Sequence, residues 1–137
     1  MPGFSALPDA EAVVGWWLRS KSVASGRVYS SIPTTPTFPL IVVERVGGSP
    51  AVRERLDRAR IQLSIWGNSK SEARDLADAA RLALLDLEGQ SVLISNGAPV
   101  NAFVTAVEDD LSLFWSPDPV SDRDRYIFGV AIFDHVL

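Results

Sequence analysis

The sequence predicts an α+β fold, a mostly antiparallel β-sheet with two principal helices packed on one face. Two observations carry that expectation. Two segments repeat apolar residues at helical spacing, Ala10-Val13-Val14-Trp17-Leu18 and Ala73-Leu76-Ala77-Ala80-Leu84-Leu87. Between and after them lie short runs rich in Val, Ile and aromatic residues, bounded by Gly, Pro, Asn and Asp. The order is helix, three strands, helix, then three or four strands, and 137 residues fit one domain spanning 1–137.

The first helix opens after Pro8-Asp9, with Asp9 as N-cap. Glu11 in its first turn and Arg19 and Lys21 near its last suit the helix dipole, and Ser22 to Gly26 end it. Arg27 to Ile32 reads as a short strand, and Pro33 to Pro39 as a stiff extended connector or an edge. Leu40 to Val46 is a β-rich run that predicts a central strand, broken by Gly47-Gly48-Ser49-Pro50. A polar loop then protrudes to about Leu56, and Arg58 to Trp66 alternates as an antiparallel partner. Its Ile61, Leu63 and Ile65 point one way, with Arg60, Gln62, Ser64 and Trp66 the other.

Ser69 and Glu72 have the spacing of a capping box at the head of the second helix, and Gly89 stops it. Val92 to Ile94 is a short strand before the turn dipeptide Asn96-Gly97. Val100 to Glu108 and Leu111 to Trp115 form one long interrupted strand or two short ones around Asp109-Asp110. Ser116 to Arg125 is a loop rich in proline and aspartate. The closing run to His135 is apolar on both faces, which predicts a central strand.

A net charge of −4 excludes a broad nucleic-acid footprint, which needs a basic surface. Arg53, Arg55, Arg58 and Arg60 still make a local basic patch. Arginine dominates the cations, with Lys21 and Lys70 the only lysines. That preference suits interfaces, where the planar guanidinium pairs and stacks, and it also follows from a GC-rich genome. No cysteine is present, which removes disulfides and thiolate chemistry. The start lacks a signal-peptide pattern, and the apolar runs are too short to span a bilayer, so no membrane partner is expected.

Reactive chemistry finds little support. With a single histidine, His135, neither a His-x-x-x-His site nor a facial triad can be built. Its neighbour Asp134 is a weak suggestion of a ligand pair, because adjacent strand residues point to opposite faces and rarely share a metal. Glu108, Asp109 and Asp110 lack the pattern of a calcium loop, as do Asp118, Asp122 and Asp124. Solvated turns account for both groups, and contact with a neighbouring subunit is the second reading. No nucleophile elbow, phosphate loop or dinucleotide fingerprint occurs. The expectation is a protein without enzymatic activity, cofactor or metal; the rival is a small ligand-binding or hydrolytic domain with a pocket near Asp134 and His135.

Aromatic bulk at polar positions is the more informative signal. Trp66 falls on the polar face of its strand, and Trp115 ends a strand just before Pro117-Asp118-Pro119. Tryptophans so placed are enriched in binding hot spots, and the other reading of Trp66 is that a second face of the sheet is also buried.

Three runs carry a resemblance to a family. They are Phe38-Pro39-Leu40-Ile41-Val42-Val43-Glu44-Arg45-Val46-Gly47-Gly48, then Asp57 to Gly67 followed by Ser71-Glu72-Ala73-Arg74-Asp75-Leu76-Ala77, and Arg125-Tyr126-Ile127-Phe128-Gly129-Val130-Ala131-Ile132. Together they resemble the tail terminator proteins of long-tailed bacteriophages, over most of the chain from Glu11 to His135. The resemblance implies a virion location and a hexameric ring that caps the tail tube, ends its polymerisation and joins it to the head connector. DNA would pass through without specific binding. A ring contact needs two different complementary surfaces. Arg53 and Arg55 on one edge meeting Asp118, Asp122 and Asp124 on another is the pairing that the sequence offers, with Trp66 and Trp115 as further interface candidates.

Overall fold

The computed structural model describes residues 8–52, 56–94 and 100–136, and of 50–52 the backbone alone. Helix α1, Ala10–Ser20, begins where Asp9 accepts a hydrogen bond from the Ala12 N–H at 3.2 Å, as an N-cap carboxylate should. It buries Ala10, Val13, Val14 and Leu18. The adjacent tryptophans divide as the helical period requires. Trp16 is exposed, whereas Trp17 turns inward and donates its indole N–H to the Ala83 carbonyl at 2.6 Å. That bond ties α1 to helix α2, Lys70–Leu85.

At the head of α2 the Ser69 hydroxyl accepts the Glu72 N–H at 3.1 Å. The Glu72 carboxylate reaches one residue further back than a reciprocal capping box does, to the Asn68 N–H at 2.9 Å. Ala73, Ala77, Ala80 and Leu84 are buried beneath it. The small alanines let the helix lie close on the sheet. Gly67 just upstream has no room for a Cβ, which would stand 2.6 Å from the Ala73 nitrogen.

Six strands form one sheet in the order β1-β2-β3-β6-β5-β4. They are β1 Val28–Tyr29, β2 Leu40–Val52, β3 Leu56–Trp66, β4 Ser91–Ile94, β5 Val100–Trp115 and β6 Arg125–Val136. Among the described residues only the β1–β2 pairing is parallel. The expected α+β class holds, and β6 is central as its two-sided apolar pattern requires, lying between β3 and β5. Both helices pack on one face, over Ile41, Val43, Ile61, Leu63, Ile65, Phe128, Val130 and Ile132. Each large aliphatic or aromatic side chain buried in that layer contributes roughly 1.5–3 kcal/mol.

Three expectations are corrected, and one alternative is decided. Gly47-Gly48 does not end the second strand; the ladder shifts register between Arg45 and Gly47 and continues to Val52, so the protruding loop is largely strand. Gly48 makes this possible: its φ is +114, and a Cβ there would collide with the Arg58 carbonyl. β2 is also not central, because beyond Val42 it forms the margin of the sheet. The strand expected over Arg27 to Ile32 shrinks to Val28–Tyr29. Of the two readings of Val100 to Trp115, the single interrupted strand holds: it runs on through Asp109-Asp110 by register shifts against β6.

Candidate interaction surface

The face of the sheet opposite the helices carries a second, smaller apolar cluster: Leu40, Val42 and Trp66, with Tyr29 and Phe38 packed beside them. Strand parity puts Trp66 there, as the alternation of β3 predicts. The indole is nevertheless only 4% exposed, which decides between the two readings of Trp66 in favour of a buried second face. Its N–H donates to Asp118 at 3.0 Å, and the Arg125 guanidinium lies 5.5 Å from its ring. Trp66 thus anchors the segment 116–124 onto the sheet and offers little surface of its own.

Asp118 organises that segment. Besides the Trp66 indole it accepts the backbone N–H groups of Val120 at 2.9 Å and Ser121 at 3.4 Å. The Val120 N–H first, then the Trp66 indole, hold its carboxyl below the usual aspartate value. Asp124 accepts the Trp115 indole N–H at 3.3 Å, and its carbonyl accepts the Gly67 N–H at 3.2 Å. Asp122 is exposed, with a φ of 59. Two of the three loop aspartates therefore serve the loop's own fold, and Asp122 alone stands toward solvent. Trp115 remains 45% exposed with the Lys70 ammonium 4.1 Å from its ring, and Val120 is 95% exposed. Between this loop and residues 30–32 lies a trough of about 700 Å³, floored by Val42, Glu44, Gln62 and Ser64.

Arg53 and Arg55 lie outside the described residues. The strands that flank them do not: β2 ends at Val52 and β3 starts at Leu56, at the end of the sheet where Asp57 opposes Asp134. The Asp118 loop springs from the other end, where Trp66 opposes Arg125. The described ends of β2 and β3 and the Asp118 loop thus belong to opposite ends of one sheet.

A charged cluster that sequence reasoning missed lies under the N-terminal end of α1. Arg45 grips the fully buried Asp57 with both terminal nitrogens, at 2.5 and 2.9 Å. Asp134, directly opposite Asp57 across the β3–β6 ladder, is also fully buried, and neither of its carboxylate oxygens receives a hydrogen bond. Burial first, and the Asp57 charge second, push its carboxyl up to about 7, against a smaller opposing pull from Arg45. His135 leaves the other face of β6, with its ring 5.5 Å from that of Phe103. The two residues of the rival pocket therefore diverge. Among the described residues no group of three or more metal-ligating side chains converges.

The family comparison decides what kind of protein carries this surface. A family model, described as tail completion protein gp17, matches residues 11–110. The chain belongs to the tail completion protein gp17 family. Membership makes it a structural component of a phage-type virion, acting in tail assembly at the tail or neck. The tail completion fold is similar to that of a chain in the "Virion of native gene transfer agent (GTA) particle", with a TM-score of 0.60 and 18% identity. That match covers 92% of this chain and 94% of the other. Curated protein sequences give no match. Among the described residues no helix is long and apolar enough to cross a membrane.

Proposed function

We propose that this tail completion protein works without catalysis, as a ring that closes the end of the tail tube. Six copies is the number that the family resemblance implies. In this reading the ring stops tube polymerisation, contacts the major tail tube protein on one side and the head connector on the other, and lets DNA slide through. The single observation that carries it is the family match over residues 11–110, which spans both helices and five of the six strands in whole or part. The gene transfer agent chain supports it, as a protein of the same fold within a phage-like particle.

The layout of the molecule suits the role. A ring subunit needs two different lateral surfaces and two ends, and one sheet with distinct edges and distinct loop ends supplies all four. A formal net charge of −4 disfavours tight binding to the duplex.

The test is a polymerisation assay. Purified chain is added to tail tube protein as it assembles, and tube lengths are measured by electron microscopy. The expected outcome is extra density at one tube end and arrested growth at substoichiometric ratios. Tubes that grow to the same lengths, with bare ends, with and without the chain would overturn the proposal.

A further inference from the structure

Each side of the sheet finishes in a strand covered over only part of its length. Beside β2, strand β1 pairs with Ile41 and Val42 alone. Among the described residues the outer edge from Val43 to Ser49 therefore has no strand next to it. Beside β5, strand β4 pairs with Val100 to Phe103, and Val104 exchanges hydrogen bonds with Gly89 and Gln90 at 2.7 and 3.0 Å. From Ala106 onward the outer edge of β5 is without a neighbouring strand among the described residues. Such an edge is a row of donors and acceptors ready for another chain.

The two free stretches match in height and direction. Following the register across the sheet, Ser49 leads through Arg58 and Phe133 to Ala106, and Glu44 leads through Gln62 and Gly129 to Leu111. The uncovered lengths thus stand at the same level. Three antiparallel pairings separate β2 from β5, so the two strands run in opposite directions. A second copy rotated about an axis along the strands then sets its β2 antiparallel to β5 of the first. Arg45 leads through Ile61 and Val130 to Asp109 at one level. Both side chains are already paired within the copy, with Asp57 and Arg81, so the match of the two edges rests on their backbones. Exposed apolar side chains flank both edges, Trp16 and Val46 on the first, Leu111 and Phe114 on the second.

Both edges also carry a carboxylate plug. Glu11 of α1 accepts the Arg45 N–H at 2.8 Å, and Glu88 accepts the Val107 N–H at 3.1 Å. Each occupies a backbone donor that an incoming strand would use, one of the ways in which a sheet keeps an edge from premature pairing.

We infer that copies of this chain join by strand addition, β2 from Val43 to Ser49 of one copy pairing antiparallel with β5 from Ala106 to Leu113 of the next, and that Glu11 and Glu88 hold the edges apart until then. The contact is head-to-tail, so each copy keeps one free edge for the next and a closing rotation makes a ring. This inference rests on the self-assembly reading above and names the surfaces that would carry it.

The chain has no cysteine of its own, so single cysteines report contact cleanly. Glu44→Cys and Leu111→Cys place thiols at two exposed positions of equal height. The two variants are mixed with tail tubes and treated with a short bifunctional thiol reagent. Crosslinked dimer is expected from the mixture and not from either variant alone. Leu93→Cys on β4, 57% exposed, should give none with Glu44→Cys. Glu88→Ala should lower the concentration at which copies associate by several fold, and an unchanged value would remove the plug from the inference. Sedimentation of the unaltered chain with tubes separates the two failures. Association without the expected crosslink, or with crosslinks from Glu44→Cys alone, overturns the strand pairing and leaves the ring reading standing. No association under any condition overturns the ring reading and the pairing with it.

Discussion

Asp134 is an acid buried opposite another acid, with one guanidinium between three carboxylates, those of Asp57, Asp134 and the N-cap Asp9. Arg45 is committed to Asp57 by two hydrogen bonds, so the Asp134 carboxyl is left to burial and repulsion, and its pKa rises from 3.8 to about 7. The linkage follows directly. Between those two values the folded chain holds a proton that the unfolded chain has lost, so stability falls as pH rises through the interval and levels off above it. A rise of that size corresponds to a few kcal/mol, on the order of 4, between pH 4 and pH 8. Asp134→Asn removes the titrating group. Its denaturant midpoint should exceed that of the unaltered chain at pH 8 and converge with it near pH 4. Parallel pH profiles for the two proteins would refute this account. Nothing local announces this cluster: Asp134 reads only as the neighbour of His135 in the rival pocket, and its partner Asp57 is brought opposite only by the pairing of distant strands.

At the scale of elements, what was legible was whatever is written locally. Both helices announce themselves through caps and an apolar stripe, because the interactions that start and bury a helix lie within a few residues of each other. The parity of β3 placed Trp66 on the right face for the same reason. Burial of that face was not legible, since it depends on Asp118 and Arg125 arriving from far along the chain. Gly47-Gly48-Ser49-Pro50 misled in a more specific way. Its residues are those of a turn, yet a turn and a bulged strand both need a glycine at positive φ, and only the pairing with β3 distinguishes them. Gly48→Ala tests the bulge. A Cβ there meets the Arg58 carbonyl, and the backbone angle is unfavourable for any other residue, so the variant should lose about 2 kcal/mol or more of unfolding free energy. Gly26→Ala, also at positive φ but facing open space, should lose less. Equal losses in thermal or denaturant melts would mean that the close approach at Gly48 is not what constrains it.

At the scale of the whole molecule, the sheet sorts its surfaces by direction: edges face sideways, and loops face the two ends. The strand ends at Val52 and Leu56 belong to one end, and the loop with Asp122 to the other. A ring built through the edges would therefore turn one charged loop set toward the tube and the other toward the connector. Charge changes at the ends and in the edges should then have separable effects. Asp122→Asn removes a charge at a position whose left-handed backbone asparagine tolerates as well as aspartate. Arg53→Glu with Arg55→Glu reverses the charge of the segment that joins Val52 to Leu56. Both variants should sediment like the unaltered chain when it self-associates, while one loses affinity for tail tubes and the other loses head joining. The losses should shrink with added salt, because exposed charges are screened. If both variants fail at the same partner, or if either disrupts self-association as strongly as a change in β2 or β5, the division of labour between edges and ends is wrong, and the loops must reach sideways to the neighbouring copy.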